Sequence, residues 1–264
     1  MTVGDILDGA FKLLKANART IAVIVLVLIV PFQVVGAFLS RSFLGGRGIL
    51  SAFRDPSTAS GSSSSTQIWV NYALYGINVL LLPFVAGAIA KVVAASYVGE
   101  ELSAGVALRA VGRRAWALLA AWWIWHPVEW IGLALCLFPG IAWMTLFVMV
   151  APAIVTEELG PIKGLKRSWQ LAGRRYWATM GVALLAGLLA SVLSNVLGLV
   201  PNAVALAVGL HWGWIIVAVA NSAIAVLVTP LVSIVATLLY FDARIRTEGF
   251  DLEVIARTLG RGAP

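Results

Sequence analysis

The chain has 264 residues, 61% of them hydrophobic and only 12% charged, with a mean hydropathy of +0.94. That is more apolar side chain than a water-facing surface can hide around one core, which excludes an ordinary soluble domain and makes lipid the main solvent. The net charge of +7 does not point to nucleic acid, because the basic residues flank apolar runs and form no water-soluble face of their own.

The first element is an amphipathic helix. Val3, Ile6, Leu7, Ala10, Phe11 and Leu14 share one stripe, with Asp5, Asp8, Lys12 and Lys15 opposite, and Thr2 followed by Asp5 is a capping pattern. It leads into a span of full length, not into a short apolar core with a small-residue cleavage site, so the start is expected to be retained. Apolar runs of about 20 residues, the length of one helical crossing, then place spans at 19–39, 72–95, 115–137, 138–156, 176–199 and 214–241. Between the first two lies an outer loop with Arg41, Arg47 and Arg54 and a Ser-rich stretch at 56–66, too small and polar to bury anything and expected to be mobile.

The third run is the weakest, since His126, Pro127 and Glu129 interrupt it after residue 125. A re-entrant hairpin is the alternative. The 42 residues from Ala115 to Thr156 suffice for two crossings, and Leu-Phe-Pro-Gly at 137–140 offers a reversal, so His126 and Glu129 are threaded through the membrane. The lone Cys136 reads as a small packed or lipid-facing side chain.

Val98-Gly-Glu-Glu-Leu102 precedes the third span and Val155-Thr-Glu-Glu-Leu159 the fifth; each is followed by Leu-Arg or Leu-Lys and then by Gly-Arg-Arg plus an aromatic. With the similar Val3-Gly-Asp-Ile-Leu7, this predicts three copies of one unit, at about 1–97, 98–154 and 155–245, within a single membrane domain covering 1–264. In each unit an interfacial amphipathic helix feeds a transmembrane hairpin. The third such helix begins at Gly160-Pro161, aligns Ile162, Leu165 and Trp169, and carries Lys163, Lys166, Arg167, Arg174 and Arg175. A cytoplasmic amphipathic tail is expected at 246–264, with a helix at about 251–259.

With the N-terminus inside, 16 of the 19 Lys and Arg residues fall on the cytoplasmic side and three outside, which sets both termini in the cytoplasm. Arg113, Arg114, Lys163, Lys166, Arg167, Arg174 and Arg175 are then the candidate contacts to anionic lipid of the inner leaflet, although anchoring and topology alone also account for them. The fold class is an all-α integral membrane protein of six transmembrane helices in three hairpins.

The stretches 3–17, 151–169 (Ala-Pro-Ala-Ile-Val-Thr-Glu-Glu-Leu-Gly-Pro-Ile-Lys-Gly-Leu-Lys-Arg-Ser-Trp) and 239–255, with its Tyr-Phe-Asp-Ala-Arg-Ile-Arg-Thr-Glu-Gly-Phe-Asp-Leu, carry a likeness. Nearly end to end, the chain resembles a bacterial stand-alone membrane-domain family related to the membrane domain of glycerophosphodiester phosphodiesterases. In the two-domain relatives, hydrolysis belongs to a separate soluble barrel, so the resemblance implies a membrane part without diesterase activity, in the bacterial plasma membrane, and no catalytic residue carries over.

His126 and Glu129, three apart, share a helical face and are the candidate intramembrane polar site. They could form a proton relay or a ligand pair, a mutually hydrogen-bonded pair in the bundle, or a position near the outer interface beside Trp122, Trp123, Trp125 and Trp130. Adding His211 would assemble three zinc ligands, but no spacing requires it, and the chain lacks His-Glu-x-x-His, Gly-x-Ser-x-Gly and phosphate-loop motifs. Gln33, Asn78, Asn195 and Asn221 either line a path or bond between helices, and Pro31, Pro83, Pro152 and Pro230 interrupt spans. Lys91 is expected to snorkel to the inner interface. The expected function is a non-catalytic accessory or scaffold subunit in envelope or membrane-lipid biology, without cofactor, metal or nucleic acid, whose partners are the bilayer and other membrane proteins. The alternative is a transporter or channel for a small or lipid-like solute.

Overall fold

The computed structural model describes residues 3–43, 65–135, 137–208 and 210–249, and every regular element among them is a helix. In chain order these are α1 (Val3–Ala16), α2 (Ala18–Leu28), α3 (Val30–Phe43), α4 (Ser65–Tyr97), α5 (Ala104–Arg113) and α6 (Ala115–Leu135). They continue as α7 (Leu137–Phe147), α8 (Val150–Thr156), α9 (Pro161–Arg174), α10 (Tyr176–Val208) and α11 (Leu210–Glu248). Most of the outer loop, Cys136, the cap at Thr2 and the tail helix at 251–259 lie outside the described residues.

Five segments are long and apolar enough to cross a membrane: Ala18–Leu39, Tyr72–Tyr97, Phe138–Thr156, Tyr176–Ala205 and Trp212–Glu248. This is the build of a polytopic membrane protein. The remaining expected span is α6, a continuous helix of 21 residues and about 31 Å in length at 1.5 Å per residue. It has the length to cross, but His126, Pro127, Glu129 and its tryptophans lower its hydropathy below that of the other five. On α10 the stripe Leu185, Leu188, Val192, Val196 and Leu199 is exposed. Apolar residues three or four apart and left uncovered along a helix are where acyl chains take the place of a core.

Proline breaks two of the crossings and leaves the others whole. The interruption between α2 and α3 falls at Ile29, just before Pro31, and that between α7 and α8 at Val148 and Met149, just before Pro152. A proline ring clashes with the carbonyl four residues back and supplies no N–H. At the second break Ser168 of α9 repairs the damage: its hydroxyl donates to Leu146 O at 2.7 Å and accepts from Met149 N–H at 3.2 Å. Ser168 is fully buried, so without it two buried backbone groups would be left unpaired. Pro83, Pro127, Pro201 and Pro230 sit inside continuous helices.

The densest packing gathers at the end of the bundle where the basic residues lie. Ile6, Ile24, Ile89, Ile154, Leu171, Ile234 and Tyr240 are all buried there. Two glycines permit the approach, because a Cβ on Gly87 would lie 2.7 Å from the Val155 side chain and one on Gly164 would collide with Ile154. The interfacial helices are therefore built into the body. α9 buries Leu165, Ser168, Leu171 and Ala172 and leaves Ile162 and Trp169 exposed. Of the expected stripe, Leu165 joins the core, Trp169 packs half-exposed on Trp143 and Phe147, and Ile162 at its edge is exposed.

The two Val-x-Glu-Glu-Leu turns end their helices alike. Gly99 (φ 75) and Glu158 (φ 56) are left-handed, and the next N–H in each case, from Glu100 and Leu159, donates five residues back to Ala95 O and Ile154 O. At the opposite end of the bundle the chain reverses at two narrow points. A Cβ on Gly132 would lie 3.1 Å from Gly140 N, and one on Gly213 would lie 2.5 Å from Ala205 O. Residues eight apart in one straight helix would be about 12 Å apart, so backbone meets backbone only because the direction has turned.

Candidate functional site

The spacing of Leu118, Trp122, Trp125, His126 and Glu129 puts all five on one face of α6, and that face lines a cavity of 1390 Å³. Residues of α3, α4, α7, α8, α10 and α11 complete its wall, including Gln33, Asn78, Asn202 and Asn221. The volume exceeds the roughly 300–1,000 Å³ of ordinary small-molecule sites. Most of the wall is apolar, and its polar groups come from different helices.

His126 is nine-tenths buried. Its ring stacks on Trp122 with centroids 4.3 Å apart and tilts against Trp125 at 3.9 Å. Its Nε2 lies 3.8 Å from Glu129 Oε2, beyond hydrogen-bond range. The reading of these two as a mutually hydrogen-bonded pair is therefore corrected: the three-residue spacing puts them side by side, but the ring is held back by the two indoles. His126 Nδ1, Glu129 Oε2, Trp122 Nε1 and Gln33 Oε1 are all buried without a well-formed hydrogen bond inside the protein. A buried polar atom left in that state costs about 1–3 kcal/mol, and all four residues line the same cavity.

The other polar residues singled out from the sequence divide. Asn78 and Asn195 donate to the carbonyls of Leu74 and Ser191, four residues back on their own helices, which satisfies them locally. Asn221 lines the cavity. The His211 side chain lies outside the described residues, and among the described residues no three His, Cys, Asp or Glu side chains converge. Gln33 and Trp122 join His126 and Glu129 without having been read as one site. The signal available was the Trp122, His126, Glu129 spacing on one face of α6; nothing local to residue 33 could place it opposite.

At the basic end a second polar assembly joins α8, α9 and α11. Arg167 donates to both oxygens of Glu157 at 2.8 and 3.1 Å, and to Glu248 through Nη1 and, at 2.7 Å, through Nη2. Tyr240 donates to Glu157 at 2.6 Å, and Arg244 donates to Glu248 at 3.2 Å. The hydrogen bond to Glu248 first, and then Glu157 against the cost of burial, push the Arg167 pKa further above its ordinary value. Arg114 pairs with Glu158 and Arg175 with Asp242, at 3.1 and 3.0 Å. Of the seven basic residues assigned to the inner leaflet, Arg114, Arg167 and Arg175 thus hold carboxylates of the protein, whereas Arg113, Lys163, Lys166 and Arg174 are exposed.

Fold and site together define the class, a polytopic α-helical membrane protein with a large, partly open and mostly apolar cavity among its helices. Comparisons with protein-family models, curated proteins and solved structures gave no match.

Proposed function

We propose that this is a non-catalytic protein of the bacterial plasma membrane whose cavity holds a lipid-like solute, as a carrier or as an accessory subunit that presents the solute to a partner. The observation behind this reading is the cavity itself, apolar over most of its wall yet lined by residues that carry four buried polar atoms without a well-formed hydrogen bond. That combination suits an occupant with an apolar body and a few hydrogen-bonding groups. The likeness to the membrane part of glycerophosphodiester phosphodiesterases agrees with work on lipid-derived molecules, and anionic lipid around Arg113, Lys163, Lys166 and Arg174 agrees with an inner-leaflet position.

The test uses purified protein in nanodiscs and the neutral fluorescent amphiphile N-phenyl-1-naphthylamine. Gly187 lines the cavity, and nothing lies within 4 Å of a Cβ placed on it, so Gly187→Trp fills space without a clash at its base. Saturable binding weakened at least tenfold by Gly187→Trp is expected. Linear partitioning, identical in both proteins and in empty discs, would sink the proposal.

We further propose six spans in three hairpins, with both termini in the cytoplasm. The basic residues gathered at one end of the bundle support this orientation. Single cysteines in a Cys136→Ala background in intact cells are expected to label from outside at Phe138 and Asn202 and to be shielded at Ser103 and Gly160. Shielding at Phe138 would reduce α6 and α7 to a re-entrant pair.

A further inference from the structure

The charge balance of the cavity wall narrows what enters it. Among the described residues the wall contains one carboxylate, Glu129, one imidazole, His126, and no Lys, Arg or Asp. A phosphate or carboxylate headgroup is normally held by guanidinium or ammonium donors, and here it would meet none. Away from the cavity, Arg114, Arg167 and Arg175 are held by Glu158, Glu157, Glu248 and Asp242, and Arg113, Lys163, Lys166 and Arg174 are exposed at the basic end.

What the wall does offer is aromatic. Tyr75, Trp122, Trp125, Phe147 and Trp214 line the cavity together with Glu129. Trp122 and Trp125 both pack on His126, one turn from the carboxylate, and Trp125 continues to Phe147 at 5.8 Å. Ring faces attract cations, most of all where water is excluded, and a mostly buried carboxylate that accepts no hydrogen bond at Oε2 and has only the His126 imidazole, 3.8 Å away, as its basic neighbour favours an occupant that supplies a fixed positive charge.

We infer that the cavity binds an amphiphilic organic cation, with its ammonium or comparable positive centre held by Glu129 among the indole rings and its apolar body along the α10 and α11 walls. This rests on the cavity reading given above and names the ligand class for that same site.

The test compares two probes of equal size and shape and opposite charge, tetraphenylphosphonium and tetraphenylborate, by equilibrium dialysis against protein in nanodiscs, with N-phenyl-1-naphthylamine as the neutral reference. Tetraphenylphosphonium is expected to saturate at one per protein and to displace the neutral probe, tetraphenylborate to bind no better than to empty discs, and Glu129→Gln to weaken the cation at least tenfold more than it weakens the neutral probe. Equal binding of the two ions, or a cation affinity untouched by Glu129→Gln, overturns the inference and leaves the cavity reading standing. Loss of saturable neutral-probe binding to wild-type protein overturns both. Where Glu129→Gln loses the neutral probe too, Glu129→Asp decides: a cation preference kept relative to the neutral probe supports the inference, and one lost overturns it.

Discussion

Replacing Arg167 by alanine is expected to lower the stability of the detergent-solubilised protein by about 3 kcal/mol, since removing one partner of a mostly buried ion pair leaves the other charge uncompensated. The Arg167 side chain is four-fifths buried and is the shared donor to Glu157, which follows α8, and Glu248 of α11. Its loss removes the main partner of both carboxylates: Glu157 keeps Tyr240 with a longer contact from Arg244 at 3.7 Å, and Glu248 keeps Arg244 at 3.2 Å. By the usual scaling for a chain of this size the midpoint should fall by about 6–12 °C, followed through the 11 tryptophans in a thermal scan. Arg167→Lys retains the charge but not the fork that serves two carboxylates at once, so it should recover less than half of the loss. A change within about 0.5 kcal/mol for Arg167→Ala, the range of an ordinary surface substitution, would show the network to be ornamental.

Gly213→Leu should have the other large effect. A Cβ there would stand 2.5 Å from the carbonyl oxygen of Ala205 and 3.2 Å from its carbon, and a backbone atom cannot turn aside as a side chain can. The α10–α11 pair has to separate at its narrowest point, for which the overpacking cost is at the upper end of about 1–3 kcal/mol or beyond it. Gly181→Ala is the control, on a helix and with nothing within 4 Å of its Cβ, where an alanine should be neutral or stabilising by about 0.5–1 kcal/mol. The yield of monodisperse protein and its thermal midpoint measure both; equal behaviour of the two variants would contradict the tight reversal.

Long apolar runs and short amphipathic stripes made the helices legible from residue order alone, because each depends on local periodicity and length. The breaks were less so. Pro31 and Pro152 interrupt the helix while Pro83 and Pro230 do not, and what stabilises the break before Pro152 is a serine about one helix further along the chain. Nothing in the residue order singles out Ser168; its burial follows from a backbone gap that no local pattern announces. The same holds for Arg167. Its place in a basic run suggested lipid, yet it is held by carboxylates 10 and 81 residues away. At the cavity, α6 displayed three of the four unpaired groups on one face, and only the folded bundle supplied Gln33.

The broken crossing of α7 and α8 forms part of the cavity wall at Phe147, Val148 and Val150, and both sides of its gap are held by one hydroxyl of α9. That helix also leaves Ile162 exposed and lays the half-exposed ring of Trp169 against Trp143 and Phe147, with centroids 5.5 and 6.0 Å apart. The helix that lies along the bundle surface thus meets the cavity wall at two points, the Ser168 hydroxyl at the break and the Trp169 ring on Phe147, so the wall's least regular stretch is braced from outside the crossings.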